Sequence, residues 1–326
     1  MHFPWTHSQW QQLKQRVKEH RLPHAMLFCG IEGLGKYNIA IEFARALLCE
    51  QPDEEFIACG KCRSCTQFDA STHPDFLLLA PEEAGKAIKV DHIRSLIQQF
   101  ELASHHGGYR VAIINPADAM NLSAANSLLK SLEEPPGNTL IILVSATPSS
   151  LPTTILSRCQ RITFTAPGFD MALSWLNKHH AEYAGKEQAL LAMASGAPLK
   201  AISTADSEEI GLRDEIFEAF ISIAQGSQSA LTNTNHWLKS GVATPIKWVY
   251  SWVSDLIKLK CQLGQAIINH DKQDDLQKIA QQVELTRLYK YLDKLLDTLK
   301  KQRAPLNAQM ILDELLLDWQ SLTILK

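Results

Sequence analysis

The chain has 326 residues, 45% hydrophobic and 21% charged, which gives room for two or three domains and excludes fibrous and disordered classes. A formal net charge of −3 argues against a protein that grips nucleic acid alone over a broad surface, because such binding rests on clustered Lys and Arg. The first ten residues lack a signal-peptide pattern and no apolar run is long enough to span a membrane, so a cytosolic protein is expected; there, seven cysteines point to metal ligation or core thiols before disulfides.

Trp10, Leu13 and Val17 recur at helical spacing and predict an amphipathic helix over 5–21. An apolar run over 24–29, the segment Gly30-Ile31-Glu32-Gly33-Leu34-Gly35-Lys36-Tyr37 and a helical pattern over 39–48 then read as strand, glycine loop and helix. In a P-loop, backbone N–H groups cradle phosphates at the helix start, the Lys reaches the β/γ-phosphates and a Ser or Thr hydroxyl ligates Mg²⁺. Gly30, Gly35 and Lys36 are in register with that pattern, but Tyr37 stands where the hydroxyl belongs and its phenol is too long to replace it. The cradle is kept and its metal ligand is missing. Glycines also serve tight strand-to-helix turns, so the loop alone leaves both uses open.

The character changes at Cys49, followed by Cys59, Cys62 and Cys65. Two successive Cys-x-x-Cys steps converge several thiolates, and Cys49 from the preceding helix end supplies the fourth, predicting a tetrahedral Zn²⁺ site. Four sulfur ligands leave no open coordination position, so such a zinc is structural rather than catalytic. Four reduced thiols that merely cluster are the alternative. His73, in Thr-His-Pro-Asp, is near enough to be a rival ligand, although a turn before Pro74 suits it better.

A short buried strand is expected over 76–80, and a helix over 90–102 with Ile93, Leu96, Ile97 and Phe100 on one side. A second apolar strand covers 110–114. In an active ATPase of this architecture that strand would end in Asp-Glu, one carboxylate for Mg²⁺ and one to polarise the attacking water. Asn115 and Pro116 stand there and can do neither; Asp118, two residues beyond, reads as a turn or helix-start acid. A helix over 123–133 leads through Glu134-Pro135-Pro136 to a third strand over 139–144, and 162–164 supplies one more. Strands alternating with helices imply a parallel sheet covered on both faces. From about 166 the pattern is helical, first a short module to about 207, then amphipathic stretches over 212–223, 245–268, 276–299 and 306–325. These read as a bundle of four or five helices, with Trp248 and Trp252 in its core.

Four features together carry a resemblance: the place of the glycine loop, the cysteine insert directly after its helix, Leu128-Leu129-Lys130-Ser131-Leu132-Glu133-Glu134-Pro135-Pro136, and Ser157-Arg158-Cys159. Across essentially its whole length the chain resembles the clamp-loader subunits of bacterial DNA polymerase III, a family of the AAA+ class. ATP-hydrolysing members keep Gly-Lys-Thr or Gly-Lys-Ser and an Asp-Glu pair, and this chain is similar to the members that have lost them. A further departure is Gly196-Ala197-Pro198-Leu199-Lys200, where Leu199 occupies the position from which hydrolysing relatives present an arginine to the γ-phosphate. Ser145 matches the polar sensor position.

The resemblance implies an α/β AAA+ P-loop module over 1–165 with a zinc insert at 49–65, a small helical lid domain over 166–207 and an all-α collar domain over 208–326. It implies a rigid subunit of a hetero-pentameric loader, beside gamma/tau-like ATPases and a delta-like subunit, that places a sliding clamp on primer–template DNA. By the same resemblance Arg158 is an arginine finger acting in trans on a neighbour's nucleotide, and Cys159 is a packing thiol. The degenerate loop of Gly30, Gly35 and Lys36 is expected not to support ATP hydrolysis, while nucleotide binding stays open.

Two other functions compete. An ordinary ATPase would have to bypass Tyr37, Asn115 and Pro116. A zinc-ribbon nucleic-acid binder would suit a Cys₄ module, but the segment sets Asp53, Glu54 and Glu55 against Lys61 and Arg63, a charge balance that does not favour DNA. For Arg158, the plain alternative to a finger is a surface arginine closing a helix C-terminus.

Overall fold

A computed structural model describes residues 3–83, 85–101, 108–203, 205, 207–230, 237, 241, 243–301 and 308–323. The chain divides into two compact units, Met1–Pro167 and Gly168–Lys326.

In the first unit the strands are β1 (Ala25–Cys29), β2 (Phe76–Leu79), β3 (Arg110–Ile114), β4 (Thr139–Ser145) and β5 (Gln160–Thr163). The helices are α1 (His7–Lys18), α2 (Lys36–Leu48), α3 (Arg63–Asp69), α4 (Val90–Glu101), α5 (Leu122–Glu133) and α6 (Thr153–Leu156). The strands form one parallel sheet in the order β2-β3-β4-β1-β5. Its register sets Cys29 level with both Ser145 and Thr163, so the glycine loop leaves the same edge at which β4 and β5 end. Every residue of β1, β3 and β4 is buried, as continuous apolar runs in a parallel sheet should be. Leu27, Ala112, Ile114, Ile141 and Leu143 alternate onto one face and pack with Ile93, Leu96 and Phe100 of α4 and Leu128 and Leu132 of α5. α2 packs against β1, β3 and β4 and buries Ile39, Ala40 and Phe43, and α1 packs on α2.

The 76–80 segment is not the buried strand that its apolar run predicts. β2 lies at the edge of the sheet, and Leu78 is 46% exposed. Leu102, expected to end the next helix, lies outside the described residues.

In the second unit, Ala172, Leu176, Leu190, Leu191 and Ala201 form one core from helices Phe169–His179, Glu187–Met193 and Pro198–Ser203. A larger core holds Phe217, Phe220, Trp248, Trp252, Leu276, Leu295 and Trp319. It draws on helices Ser207–Ala224, Ala243–Lys260, Gln273–Gln282, Leu285–Lys301 and Ala308–Thr323. Phe220 and Trp319 stack with ring centroids 4.1 Å apart, and Trp319 Nε1 donates to the Phe220 carbonyl at 3.0 Å.

Two predicted helical stretches are broken. The 245–268 helix stops at Lys260, because Gln262 takes a left-handed φ of 59° and the Leu263 N–H turns back to the Lys258 carbonyl at 2.8 Å, a Schellman-type closure. Beyond it, the N–H groups of Ile268 and Asn269 donate to the fully buried carboxylate of Asp255. The 276–299 stretch is two helices parted at Val283, which is buried and extended. Of the 306–325 stretch, 306–307 and 324–325 lie outside the described residues. Among the described residues no helix is long and apolar enough to cross a membrane.

Candidate functional site

β1 delivers the chain to Gly30 at the carboxyl edge of the sheet, the edge at which open parallel sheets bind ligands. Gly30 has a φ of 150°, and a Cβ there would lie 2.2 Å from the Phe164 carbonyl oxygen. Glycine is therefore required by the approach of the loop to the end of β5, whatever the loop binds. Gly33 and Gly35 adopt φ values of 81° and 80°, and Gly35 is the N-cap of α2.

Lys36 is 6% exposed, and its Nζ donates to the loop's own Ile31 carbonyl at 2.6 Å. Burial holds its pKa below the ordinary lysine value, against the opposing pull of Asp118 and Glu32. Trp5 Nε1 donates to the Leu34 carbonyl at 3.1 Å, so the loop is braced from inside and outside by its own chain. Tyr37 is half-exposed at the start of α2. Asn115 and Pro116 follow β3 directly, as the sequence requires.

Asp118 does more than start a turn. Its carboxylate accepts from the Ala146 N–H at 3.3 Å and from Thr147 Oγ1 at 3.0 Å, tying the ends of β3 and β4 together. Sequence reasoning missed this, since no local pattern marks a staple to a strand end so far along the chain. Ser145 ends β4 fully buried, paired in register with Cys29.

The Sγ atoms of Cys49, Cys59, Cys62 and Cys65 lie within 4.8 Å of one another, and those of Cys49 and Cys62 are 3.9 Å apart. Tetrahedral ligation at about 2.3 Å per Zn–S bond separates sulfurs by about 3.8 Å, so this donor set fits such an ion without a change of fold. The end of α2 presents Cys49, and Cys62 caps α3 by accepting from the Cys65 N–H at 3.3 Å. The N–H of Cys59 donates to Cys49 Sγ at 3.3 Å, and that of Cys62 to Cys59 Sγ at 3.4 Å. Backbone donation from Lys61 and Cys62 pulls Cys59 down to about 6, whereas burial pushes Cys65 up to about 12.

His73 is not among these donors. Its Nδ1 accepts from the Asp75 N–H at 3.1 Å and its Nε2 lies 2.8 Å from Ser64 Oγ, so both ring nitrogens fix the turn before β2.

Arg158 lies between α6 and β5, at the amino edge of the sheet. Gln160 is level with Met26 and Thr163 with Cys29, so the chain enters β5 just after Arg158 at the edge where β1 starts, and Gly30 follows β1 at the opposite edge. Arg158 Nη1 donates to the Thr154 carbonyl at 3.0 Å, and Nη2 pairs with Glu133 Oε1 at the end of α5. Cys159 is buried, and desolvation pushes its thiol up to about 12, which suits a packing role. Leu199 is partly buried in the helix Pro198–Ser203 of the second unit.

The family described as "DNA polymerase III, delta subunit" matches residues 5–168, and "DNA polymerase III, delta subunit, C terminal" matches 207–321. DNA polymerase III subunit delta' of Pseudomonas aeruginosa is 33% identical, with 98% of each chain covered. This chain belongs to the DNA polymerase III delta-prime family. The delta' subunit of Yersinia pestis is 30% identical over 98% of this chain and 95% of its own. DNA polymerase III subunit tau of Bacillus subtilis is 35% identical over 47% of this chain and 26% of its own length. A solved structure of a gamma subunit-related protein of DNA polymerase III from Thermotoga maritima is 18% identical, with a TM-score of 0.44, over 97% of this chain and 100% of that one. Membership of the delta-prime family places the chain in DNA replication, in the clamp-loader group that residues 128–136 and 157–159 imply.

Proposed function

We propose that this chain is the non-hydrolysing delta-prime subunit of a bacterial clamp loader, that residues 1–165 form an AAA+ module, and that Arg158 acts on a neighbour's nucleotide. One observation carries this reading. Arg158 and the chain's own glycine loop stand at opposite edges of one sheet, so a phosphate met by Arg158 belongs to another chain. A guanidinium is permanently charged and offers a planar fork of donors to γ-phosphate oxygens as negative charge develops on them. Arginine fingers in related chemistry contribute roughly 10³–10⁵ in rate.

The other residues support a subunit that holds geometry rather than turning over ATP. Lys36 is engaged by Ile31, Tyr37 offers no short hydroxyl to a metal, and Asn115 and Pro116 supply no carboxylate. In this reading residues 166–207 are a lid, in which Leu199 replaces the γ-phosphate arginine, and 208–326 are the chain's share of a collar. That collar joins it to gamma/tau-like ATPases and a delta-like subunit in a hetero-pentamer, which opens the sliding clamp and leaves it on primer–template DNA. Cys49, Cys59, Cys62 and Cys65 hold a structural Zn²⁺, which links the end of α2 to the start of α3. The fit of four sulfurs to a closed tetrahedral shell supports that assignment.

The test is the ATPase activity of the purified chain, alone and mixed with its ATPase neighbours. No turnover is expected from the chain alone, and higher DNA-dependent turnover from the assembled loader. Turnover by the chain alone that Lys36→Ala abolishes would overturn the reading.

A further inference from the structure

We infer that Glu133 is the positioning residue of the finger, an inference that rests on the trans-acting reading of Arg158. Arg158 follows a four-residue helix and carries a long flexible stem, so without support its guanidinium would sample many rotamers. Three groups of its own chain hold it. The Thr154 carbonyl accepts from Nη1 at 3.0 Å, Ser157 Oγ lies 3.4 Å from Nη1, and Glu133 Oε1 pairs with Nη2.

Thr154 and Ser157 are local, but Glu133 comes from a different element that is itself firmly seated. It is the last residue of α5, whose N-cap Asn121 accepts from the Ala124 N–H at 2.8 Å. Leu128 and Leu132 bury the same helix against the sheet, and His24 Nε2 lies 2.7 Å from the Leu132 carbonyl, which ties the end of α5 to the start of β1. The carboxylate is therefore offered from a well-seated helix end, and pairing with it narrows the positions open to the guanidinium.

The fork is not exhausted by these contacts. Arginine has five N–H donors; the hydrogen bonds to Thr154 and Ser157 use Nη1 and the Glu133 ion pair lies on Nη2, so these contacts leave Nε unused. Nε and Nη2 form the edge through which an arginine can hold an oxyanion bidentately. Both partners stay open to solvent, with side chains 34% and 48% exposed, so the pair is screened and weakly held. Glu133 guides the guanidinium without becoming a lock that a phosphate must break.

The gain is pre-organisation of one rotamer-rich side chain, a roughly two- to tenfold effect on rate. In a reconstituted loader, Glu133→Ala should lower kcat for DNA-stimulated hydrolysis by that factor, with KM for ATP unchanged. Glu133→Gln keeps an oxygen acceptor for Nη2 and should retain most of the rate, which guards against a folding defect in the alanine variant. In an Arg158→Ala background, Glu133→Ala should lower kcat no further. Unchanged kcat in Glu133→Ala, or an equal further loss in the double variant, would overturn the inference while leaving the finger intact if Arg158→Ala alone slows hydrolysis. If Arg158→Ala alone leaves the rate unchanged, the finger reading falls and takes this inference with it.

Discussion

Lys36 and Arg158 stand at opposite edges of the same parallel sheet, one bonded to the Ile31 carbonyl beside the end of β1 and the other paired with Glu133 before the start of β5. Two cations that nucleotide chemistry would bring to one γ-phosphate cannot meet on it within this chain. The separation follows from topology, since a parallel strand entered through α6 must begin at the edge where β1 begins.

Lys36 is a structural prop in this account. Lys36→Ala removes a buried donor and leaves the Ile31 carbonyl without it, which should lower stability by about 1–2 kcal/mol. Urea unfolding should show the loss, while the folded variant assembles and supports clamp loading normally. Unchanged stability together with loss of nucleotide-dependent loading would mean that the loop binds nucleotide.

Gly30 is required by the close approach of the Phe164 carbonyl, whatever the loop binds. Gly30→Ala meets both a left-handed φ and a close oxygen, and should destabilise the chain by about 2 kcal/mol or more. A urea midpoint equal to that of the unmodified chain would contradict the packing argument.

The cysteine cluster reaches well beyond its own loop. Trp10 Nε1 donates to the Glu55 carbonyl at 3.1 Å, Lys14 Nζ pairs with Glu55 Oε2 at 2.7 Å, and Trp10 and Phe56 are in ring contact. Protein purified without added metal should contain one equivalent of zinc, and chelation should increase amide exchange in α1 while leaving β4 protected. A metal-free chain whose four thiols titrate freely in the native state would refute the site.

Cys159 gives the account a pH signature. Its thiol is raised from 9.0 to about 12 by burial, so between those values the unfolded chain has released a proton that the folded chain keeps. Stability linked to this group is complete below about pH 9 and falls as pH rises toward 12, by up to about 4 kcal/mol at 1.36 kcal/mol per unit. Cys159→Val should flatten that decline in the unfolding temperature. A slope identical in both proteins would show that the buried thiol is not its source.

Most of the architecture was legible in the sequence because its strands are short apolar runs set between glycine, proline and capping residues. The residue types of the glycine loop and of Cys49 to Cys65 were legible as well, since each depends on local spacing, whereas Arg158 stood out only through the resemblance of Ser157-Arg158-Cys159. What local patterns could not carry was long-range. An apolar run does not say whether it ends at a sheet edge, as Phe76–Leu79 does. Nor does helical periodicity reveal the left-handed Gln262 that closes the Ala243–Lys260 helix. The Asp118 staple to Thr147 and the Glu133 pairing of Arg158 join residues from separate elements, and only the folded sheet brings them together.

The measurement that bears most directly on the account is the DNA-stimulated ATPase and clamp-loading rate of a reconstituted loader carrying Arg158→Ala in this subunit alone. Assembly and thermal stability should be nearly unchanged, since Arg158 contributes only a solvent-screened pair and exposed bonds to Thr154 and Ser157 of its own helix end. Hydrolysis at one neighbouring site should slow by a large factor, on the order of 10³ or more at that site, and clamp loading should be impaired. Unchanged hydrolysis and an unchanged loading rate in the fully assembled complex would contradict it.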